Sequence, residues 1–170
     1  MNARMTLHHG FGPFYRSDSR ILILGSFPSV KSREANFYYG HPQNRFWRVL
    51  SAVFSDSVPV GTEEKIFFLT KHRIALYDVI ESCSIIGSAD STIADVIVTD
   101  LSPILSESDV GEHIFTNGGK AHALYQKHTY PLLRIPAVKL PSTSPANAAF
   151  SLEQLTAKWA ALLRLAVQQE

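Results

Sequence analysis

Four short apolar segments recur along the chain and limit its fold more than any other property of the sequence. They are Arg20–Gly25, Arg73–Ile80, His113–Gly119 and Ala137–Leu140. The first is almost entirely apolar and ends at a glycine, which is typical of a strand buried on both faces in a parallel sheet. Helical patterns lie between these segments. The alternation predicts an α/β fold, a three-layer α/β/α sandwich around a four-stranded parallel sheet.

The helical patterns are defined by apolar periodicity and by start signals. From Asn44 onward, apolar residues recur three and four positions apart, so an amphipathic helix is expected there. Two further helices are expected over Thr62–His72 and roughly Lys120–His128. Ser151 and Gln154 form a capping box that starts a final helix.

Three stretches carry no clear strand or helix pattern. Met1–Ser19 is expected to be an irregular lead-in, and Ser26–Gln43 a polar loop. Ser91–Glu107 is a mixed stretch that Pro103 is expected to interrupt. No linker or repeat divides the chain, and a hydrophobic content of 45% in 170 residues is enough for one core. A single domain over residues 1–170 is therefore expected.

Composition limits which cofactors the chain could bind and in which cellular compartment it is expected. The single cysteine, Cys83, excludes an internal disulfide as well as four-cysteine zinc and iron–sulfur sites. Histidines such as His9 show no metal-ligand spacing and are interpreted as surface or core residues. No apolar run is long enough to span a membrane, and the N-terminus lacks the apolar core of a signal peptide. We expect a soluble, cytoplasmic protein without metal or cofactor, acting as a monomer.

The net charge of +1 bears on nucleic acid as a partner. A chain with so little excess charge has no global positive field. If it binds nucleic acid, the contact must come from a local basic surface or from backbone amide groups.

Polar and glycine-containing segments follow the carboxyl ends of all four expected strands. They are Gly25–Pro28, Asp78, Asn117–Gly119 and Pro141–Ser144. Ligands of open parallel sheets bind outside the carboxyl ends of the strands. We therefore expect these segments to surround one crevice.

Two of the loop segments each allow a structural and a functional interpretation. Gly25–Ser29 is a strand-to-loop turn or a place where backbone N–H groups approach a ligand, although it matches neither a dinucleotide fingerprint nor a P-loop. The aromatic run Phe37–Tyr38–Tyr39 is either a small satellite core or a stacking platform for a flat ligand.

Three further features have the same two interpretations. Asn44 is a helix cap or holds a water by its amide oxygen, and it cannot act as a general base because an amide does not titrate. Asp78 makes a structural hydrogen bond or faces the crevice. Leu140–Asn147 is a turn, or a rigid set of hydroxyl groups suited to phosphate contacts.

Three of these segments together resemble the uracil-DNA glycosylase superfamily: Gly25–Ser29, Tyr39–Trp47 and Leu140–Pro145. The resemblance covers nearly the whole chain in order, and Tyr39–Trp47 is its most specific part. The sequence is most similar to the family of DNA-deoxyinosine (hypoxanthine-DNA) glycosylases. The superfamily fold is an α/β/α sandwich around a four-stranded parallel sheet, as the periodicity predicts independently.

The resemblance implies an enzyme that flips a deaminated base, hypoxanthine above all, out of damaged DNA and hydrolyses its N-glycosidic bond. Asn44 would inherit the catalytic amide and orient a water toward C1′ of the sugar. The resemblance assigns base binding to Gly25, Ser26, Phe27, Tyr39 and Asp78, with Tyr39 stacking on the base. It assigns DNA binding to Pro141, Ser142, Thr143, Ser144 and Pro145, and it implies no metal or cofactor.

Departures from related branches leave other functions open. Phe27 stands where the mismatch-specific branch has a water-holding asparagine, and Leu140 replaces the catalytic histidine of the main uracil enzymes. Both losses argue against efficient uracil excision. The alternatives are a mismatch-specific uracil or thymine glycosylase, and a non-catalytic module that binds nucleic acid or nucleobases.

Overall fold

The structure, a computed structural model, describes residues 4–86 and 92–167. The strands are β1 (Arg4–His8), β2 (Ile21–Gly25), β3 (Ile74–Asp78), β4 (Ile80–Ile86), β5 (Ala94–Val98), β6 (Ile114–Asn117) and β7 (Val138–Leu140). The α-helices are α1 (Val30–Ala35), α2 (Phe46–Val53), α3 (Gly61–Lys71), α4 (Ser102–Glu107), α5 (Gly119–Leu124), α6 (Tyr130–Leu133) and α7 (Leu152–Val167). A π-helical turn, Tyr125–Thr129, joins α5 to α6.

A four-stranded parallel sheet forms the centre of the molecule, in the order β3-β2-β6-β7. Every residue of β2 and β3 is buried, so both faces of these strands are covered. The predicted α/β fold and its four parallel strands are confirmed. The register places Gly25 beside Asp78 and Asn117 beside Leu140, which brings all four carboxyl ends to one edge.

A second, antiparallel sheet of order β1-β4-β5 was not predicted. The expectation of an irregular lead-in was wrong, because β1 pairs with β4 from Arg4↔Ile86 to His8↔Ser82. Only one residue of β1 is even partly buried, so the strand has no alternating apolar pattern. Its pairing continues one residue further, since the backbone N–H of His9 donates to the carbonyl of Glu81 at 2.8 Å.

Helix boundaries follow local chemistry that the sequence partly revealed. The Ser151–Gln154 capping box is confirmed by reciprocal bonds of 2.9 and 3.1 Å. Pro103 was expected to interrupt its segment but instead lies in the first turn of α4, where a missing N–H costs little. The loop expected over 26–43 contains the short helix α1, capped by the Ser29 side chain.

Candidate functional site

A cavity of about 520 Å³ opens at the carboxyl edge of the parallel sheet. The crevice expected there is thus present, and residues at or just past the carboxyl ends of all four strands line it. Every residue assigned by the resemblance lines the cavity except Pro141. The carbonyl of Pro141 accepts a bond of 2.9 Å from the indole N–H of Trp159 instead.

Asp78 and Gly25 are neighbours because β2 and β3 pair in register. Asp78 is 4% exposed, and its Oδ2 lies 2.7 Å from Nε2 of His9. A Cβ on Gly25 would collide with the other carboxylate oxygen, Oδ1. The glycine therefore makes room for a carboxylate at the cavity floor, where the sequence suggested an approach of backbone to ligand. Among the described residues, none donates a hydrogen bond to Oδ1.

His9 does not line the cavity, but it bonds to Asp78, a contact that was not predicted from the sequence. It is 1% exposed, and its ring lies within 6.3 Å, centroid to centroid, of four other rings: Phe11, Phe27, Tyr38 and Tyr77. We call these four rings the aromatic cage. No motif marks the residue, because it reaches Asp78 only through the unpredicted pairing of β1 with β4.

Tyr39 lies on the cavity wall in a left-handed backbone conformation, with φ of 53°. Its ring stacks on Phe46 at 3.8 Å between centroids and 14° between planes, so a base could stack only on its opposite face. The hydroxyl is buried and has no hydrogen-bond partner among the described residues. Burial, and then the charge of Asp78, raise the pKa of Tyr39; Asn117 acts in the opposite direction without reaching hydrogen-bond geometry. The phenol is therefore protonated at neutral pH.

Asn44 is held in one orientation by two donors. Its Oδ1 accepts the Phe46 N–H at 2.9 Å and the Thr143 hydroxyl at 2.8 Å. The cap-like bond expected of a helix-start asparagine is therefore present. Both lone pairs of the amide oxygen are used, so the expected water on that oxygen has no free acceptor. The group left for a ligand is the amide nitrogen, Nδ2, with its two N–H donors.

Thr143 was expected to contact DNA, but it is fully buried. Its hydroxyl accepts from Nδ2 of Asn117 at 3.0 Å, and its backbone N–H donates to Oδ1 of the same side chain at 3.1 Å. A side chain with no exposed surface cannot meet a phosphate. Asn117 instead fixes Thr143, and Thr143 fixes Asn44. Neither link was predicted from the sequence.

Arg45 ties the loop after β7 to the start of α2. Its guanidinium donates to the carbonyls of Ser144, Asn147 and Phe150 at 3.1, 2.9 and 2.6 Å. These bonds hold the loop in place and leave Ser142 and Ser144 partly exposed on the cavity wall. The exposed Lys120 also lines the cavity.

Over 4–86 and 92–167, no group of three or more His, Cys, Asp or Glu side chains could hold a metal ion. Within the same part of the chain, no helix is both long enough and apolar enough to cross a membrane.

The sequence model of the uracil DNA glycosylase superfamily matches residues 12–166. The chain belongs to that superfamily. A protein named hypoxanthine DNA glycosylase from Methanosarcina acetivorans is 35% identical over 162 residues, covering 93% of this chain and 99% of the relative. Another of the same name from Methanosarcina barkeri is 31% identical over 155 residues, covering 89% and 94%.

A solved structure agrees with this uracil DNA glycosylase superfamily assignment. The solution NMR structure of a candidate uracil DNA glycosylase from Methanosarcina acetivorans superimposes with a TM-score of 0.78 at 32% identity. The match covers 96% of this chain and 100% of that one. The resemblance inferred from Tyr39–Trp47 and the two flanking segments is thereby confirmed.

Proposed function

We propose that this protein is a DNA glycosylase that removes hypoxanthine from deoxyinosine in damaged DNA and leaves an abasic site. Superfamily membership and the names of the two Methanosarcina relatives support a glycosylase acting on a deaminated base. The observation that carries the choice of hypoxanthine is the buried carboxylate of Asp78, which lines the same cavity as Asn44 and Tyr39.

The carboxylate separates hypoxanthine from its parent base. Hypoxanthine presents an N1–H donor, which Oδ1 of Asp78 can accept. Adenine presents an acceptor at N1, so two acceptors would meet in a site sheltered from water. Such a mismatch costs about 1–3 kcal/mol. Uracil and thymine also carry a ring N–H, so the shape of the cavity must exclude them.

The proposed reaction begins when the nucleotide leaves the base stack and enters the cavity. The N-glycosidic bond breaks, the electron pair departs with the base, and the sugar becomes an oxocarbenium-like cation. Backbone N–H groups at Ser26 and Phe27 would stabilise the departing base, while DNA phosphates stabilise the sugar. An N–H of Asn44 Nδ2 would hold the oxygen of a water near C1′. Such an electrophilic carbon needs only a weak nucleophile, so the water oxygen attacks C1′ with its remaining lone pair. The proton that the water loses passes to the base anion, which leaves neutral hypoxanthine and an abasic sugar.

DNA would lie across the carboxyl edge of the sheet. Ser142, Ser144 and Pro145 would contact the backbone and the minor groove, and Lys120 would meet a phosphate. Thr143 has a positioning role in this proposal. The protein would act as a cytoplasmic monomer, independent of metals and cofactors, so excision should persist in excess chelator.

Duplexes that carry one inosine, one uracil or a G·T mismatch test the proposal. Alkali-induced strand breaks at inosine, with slower cleavage of the other two, are expected. Faster cleavage at uracil or thymine would identify the mismatch-specific alternative. Binding to the inosine duplex without strand breaks would identify a non-catalytic module.

The Asp78→Asn variant provides a matched control, because it keeps the side-chain size. If the His9 N–H donates to the new amide oxygen, the amide N–H₂ faces the base and meets the N1–H of hypoxanthine with another donor. Loss of inosine excision by at least about tenfold is expected. A folded variant with the wild-type rate would show that Asp78 does not contact the base.

A further inference from the structure

His9 and Asp78 form a buried pair at the cavity floor. The pair is nearly inaccessible, with side chains 2% and 5% exposed and 2.7 Å between Nε2 and Oδ2. When the carboxylate is the acceptor of this bond, Nε2 of the imidazole is the donor. That bond uses Oδ2 and leaves Oδ1 as the acceptor above Gly25.

We infer that His9 is a positioning residue: it holds the Asp78 carboxylate so that Oδ1 faces the base in the cavity. The inference rests on the proposed function, since it assigns His9 a part in choosing the base. The Asp78 carboxyl group is buried beside the aromatic cage, where a polar group needs a hydrogen-bond partner. Among the described residues, only His9 forms a hydrogen bond with that carboxylate.

The environment of the other ring nitrogen of His9, Nδ1, indicates that packing alone does not explain why a histidine occupies this position. Nδ1 is buried and has no hydrogen-bond partner among the described residues. A leucine or phenylalanine inside the aromatic cage would avoid that unmet bond. A half-satisfied buried polar group requires an explanation, and the bond to Asp78 supplies one.

The backbone also fixes where His9 can reach. The register of β1 with β4 ends at His8↔Ser82, and the His9 N–H then bonds to Glu81. This anchoring sets the distance from His9 to the end of β3, which precedes β4 by one residue. The antiparallel sheet therefore positions His9 against Asp78 at the edge of the parallel sheet.

A double-mutant cycle tests the inference by single-turnover excision of an inosine duplex. His9→Leu should slow excision about as much as Asp78→Asn, and the double variant should be no slower than either single one. His9→Gln, whose amide nitrogen can occupy the place of Nε2, should retain a rate within about threefold of wild type. Multiplying effects, or a wild-type rate in folded His9→Leu, would overturn the inference.

Two controls keep folding and function apart. His72 forms a comparable bond of 2.8 Å with Asp56 but does not line the cavity, so His72→Leu should lower stability without changing the excision rate. If His9→Leu does not fold, His9→Gln and His9→Asn decide. Only the longer amide reaches Asp78, so equal rates in these two variants would overturn the inference.

Calorimetric binding of free hypoxanthine separates the two proposals. If the wild type excises no base, the proposed function is wrong. The affinities of the wild type and the variants for free hypoxanthine then still test the positioning role of His9. Tighter binding by wild type and His9→Gln than by His9→Leu and Asp78→Asn would support the positioning role. Equal affinities, or no binding by any of the four proteins, would overturn it.

Discussion

At the scale of single residues, Asn44 combines an observed structural role and a proposed catalytic role in one side chain. Its amide oxygen caps the start of α2 and binds Thr143, while its amide nitrogen remains for substrate. A substitution that removes the whole amide therefore changes stability and chemistry together. Separating the roles requires a variant that keeps the oxygen.

Asn44→Ala should lose most turnover, retain most binding to inosine DNA, and lose about 1 kcal/mol of unfolding free energy with the cap. Asn44→Asp keeps an oxygen for both donors and lacks the N–H₂ group. We expect it to lose turnover as well, with a melting temperature closer to wild type. Single-turnover rates and thermal melts measure both. Full turnover in Asn44→Asp would show that the side-chain oxygen, and not the amide nitrogen, binds the water.

Tyr39 can be tested by removing first the hydroxyl and then the ring. Stacking of a base on an aromatic ring is worth about 1–3 kcal/mol, so Tyr39→Ala should slow excision about five- to a hundredfold. Tyr39→Phe should retain the rate, because the hydroxyl has no hydrogen-bond partner among the described residues and the ring remains. If Tyr39→Ala is unimpaired while Phe27→Ala is slow, Phe27 is the stacking ring.

At the scale of secondary-structure elements, the close pairing of β2 with β3 dictates a glycine. Gly25→Ala would push a methyl group into Oδ1 of Asp78 and should reduce inosine excision by about tenfold or more. Gly12→Ala is a matched control, because no atom lies within 4 Å of the added Cβ and its φ is not positive. Equal rates for the two variants would show that the carboxylate moves aside without cost.

The link between the segment after α2 and the end of α3 gives a prediction about acid stability. Hydrogen bonds from His72, from the Ser57 backbone and from Lys71 lower the pKa of Asp56 from 3.8 to about 2. A carboxyl with a lowered pKa stabilises the fold above its unfolded pKa, and this stabilisation is lost as the pH falls through the folded value. Asp56→Asn should therefore show a smaller drop in melting temperature than wild type between pH 4 and pH 2. Identical decreases in melting temperature for the two proteins would show that the hydrogen bonds of Asp56 do not contribute to acid stability.

The two sheets differ in how well the sequence predicted them. The four central strands were predictable as short apolar runs between helical patterns, although only β2 and β3 are buried at every position. The segments at their ends then followed from parallel topology, which placed Asp78 and Asn117 at one cavity. The antiparallel sheet was not predictable, since β1 is largely exposed and its partner lies some eighty residues away. The bond of His9 to Asp78 and the bonds that link Asn117 to Asn44 through Thr143 also join residues far apart in the sequence.

At the scale of the whole molecule, the small net charge requires that DNA be gripped locally. Lys120 is exposed at the cavity, so Lys120→Ala should weaken binding to all duplexes alike and reduce the salt slope by about one. Titration of labelled duplexes at several salt concentrations measures the slope. Lys127→Ala provides the control, because Lys127 is exposed but does not line the cavity. An unchanged slope for Lys120→Ala would remove this phosphate contact.

The anchoring of His9 by β1 has a consequence for base recognition. The superfamily match begins at residue 12, so the residue proposed to orient the base-reading carboxylate lies upstream of the matched segment. If His9 orients that carboxylate, a substitution within residues 4–11, outside the matched segment, would change base recognition without changing the cavity wall. This edge of the fold would then affect the choice between hypoxanthine and adenine, while the shape of the cavity still excludes uracil and thymine.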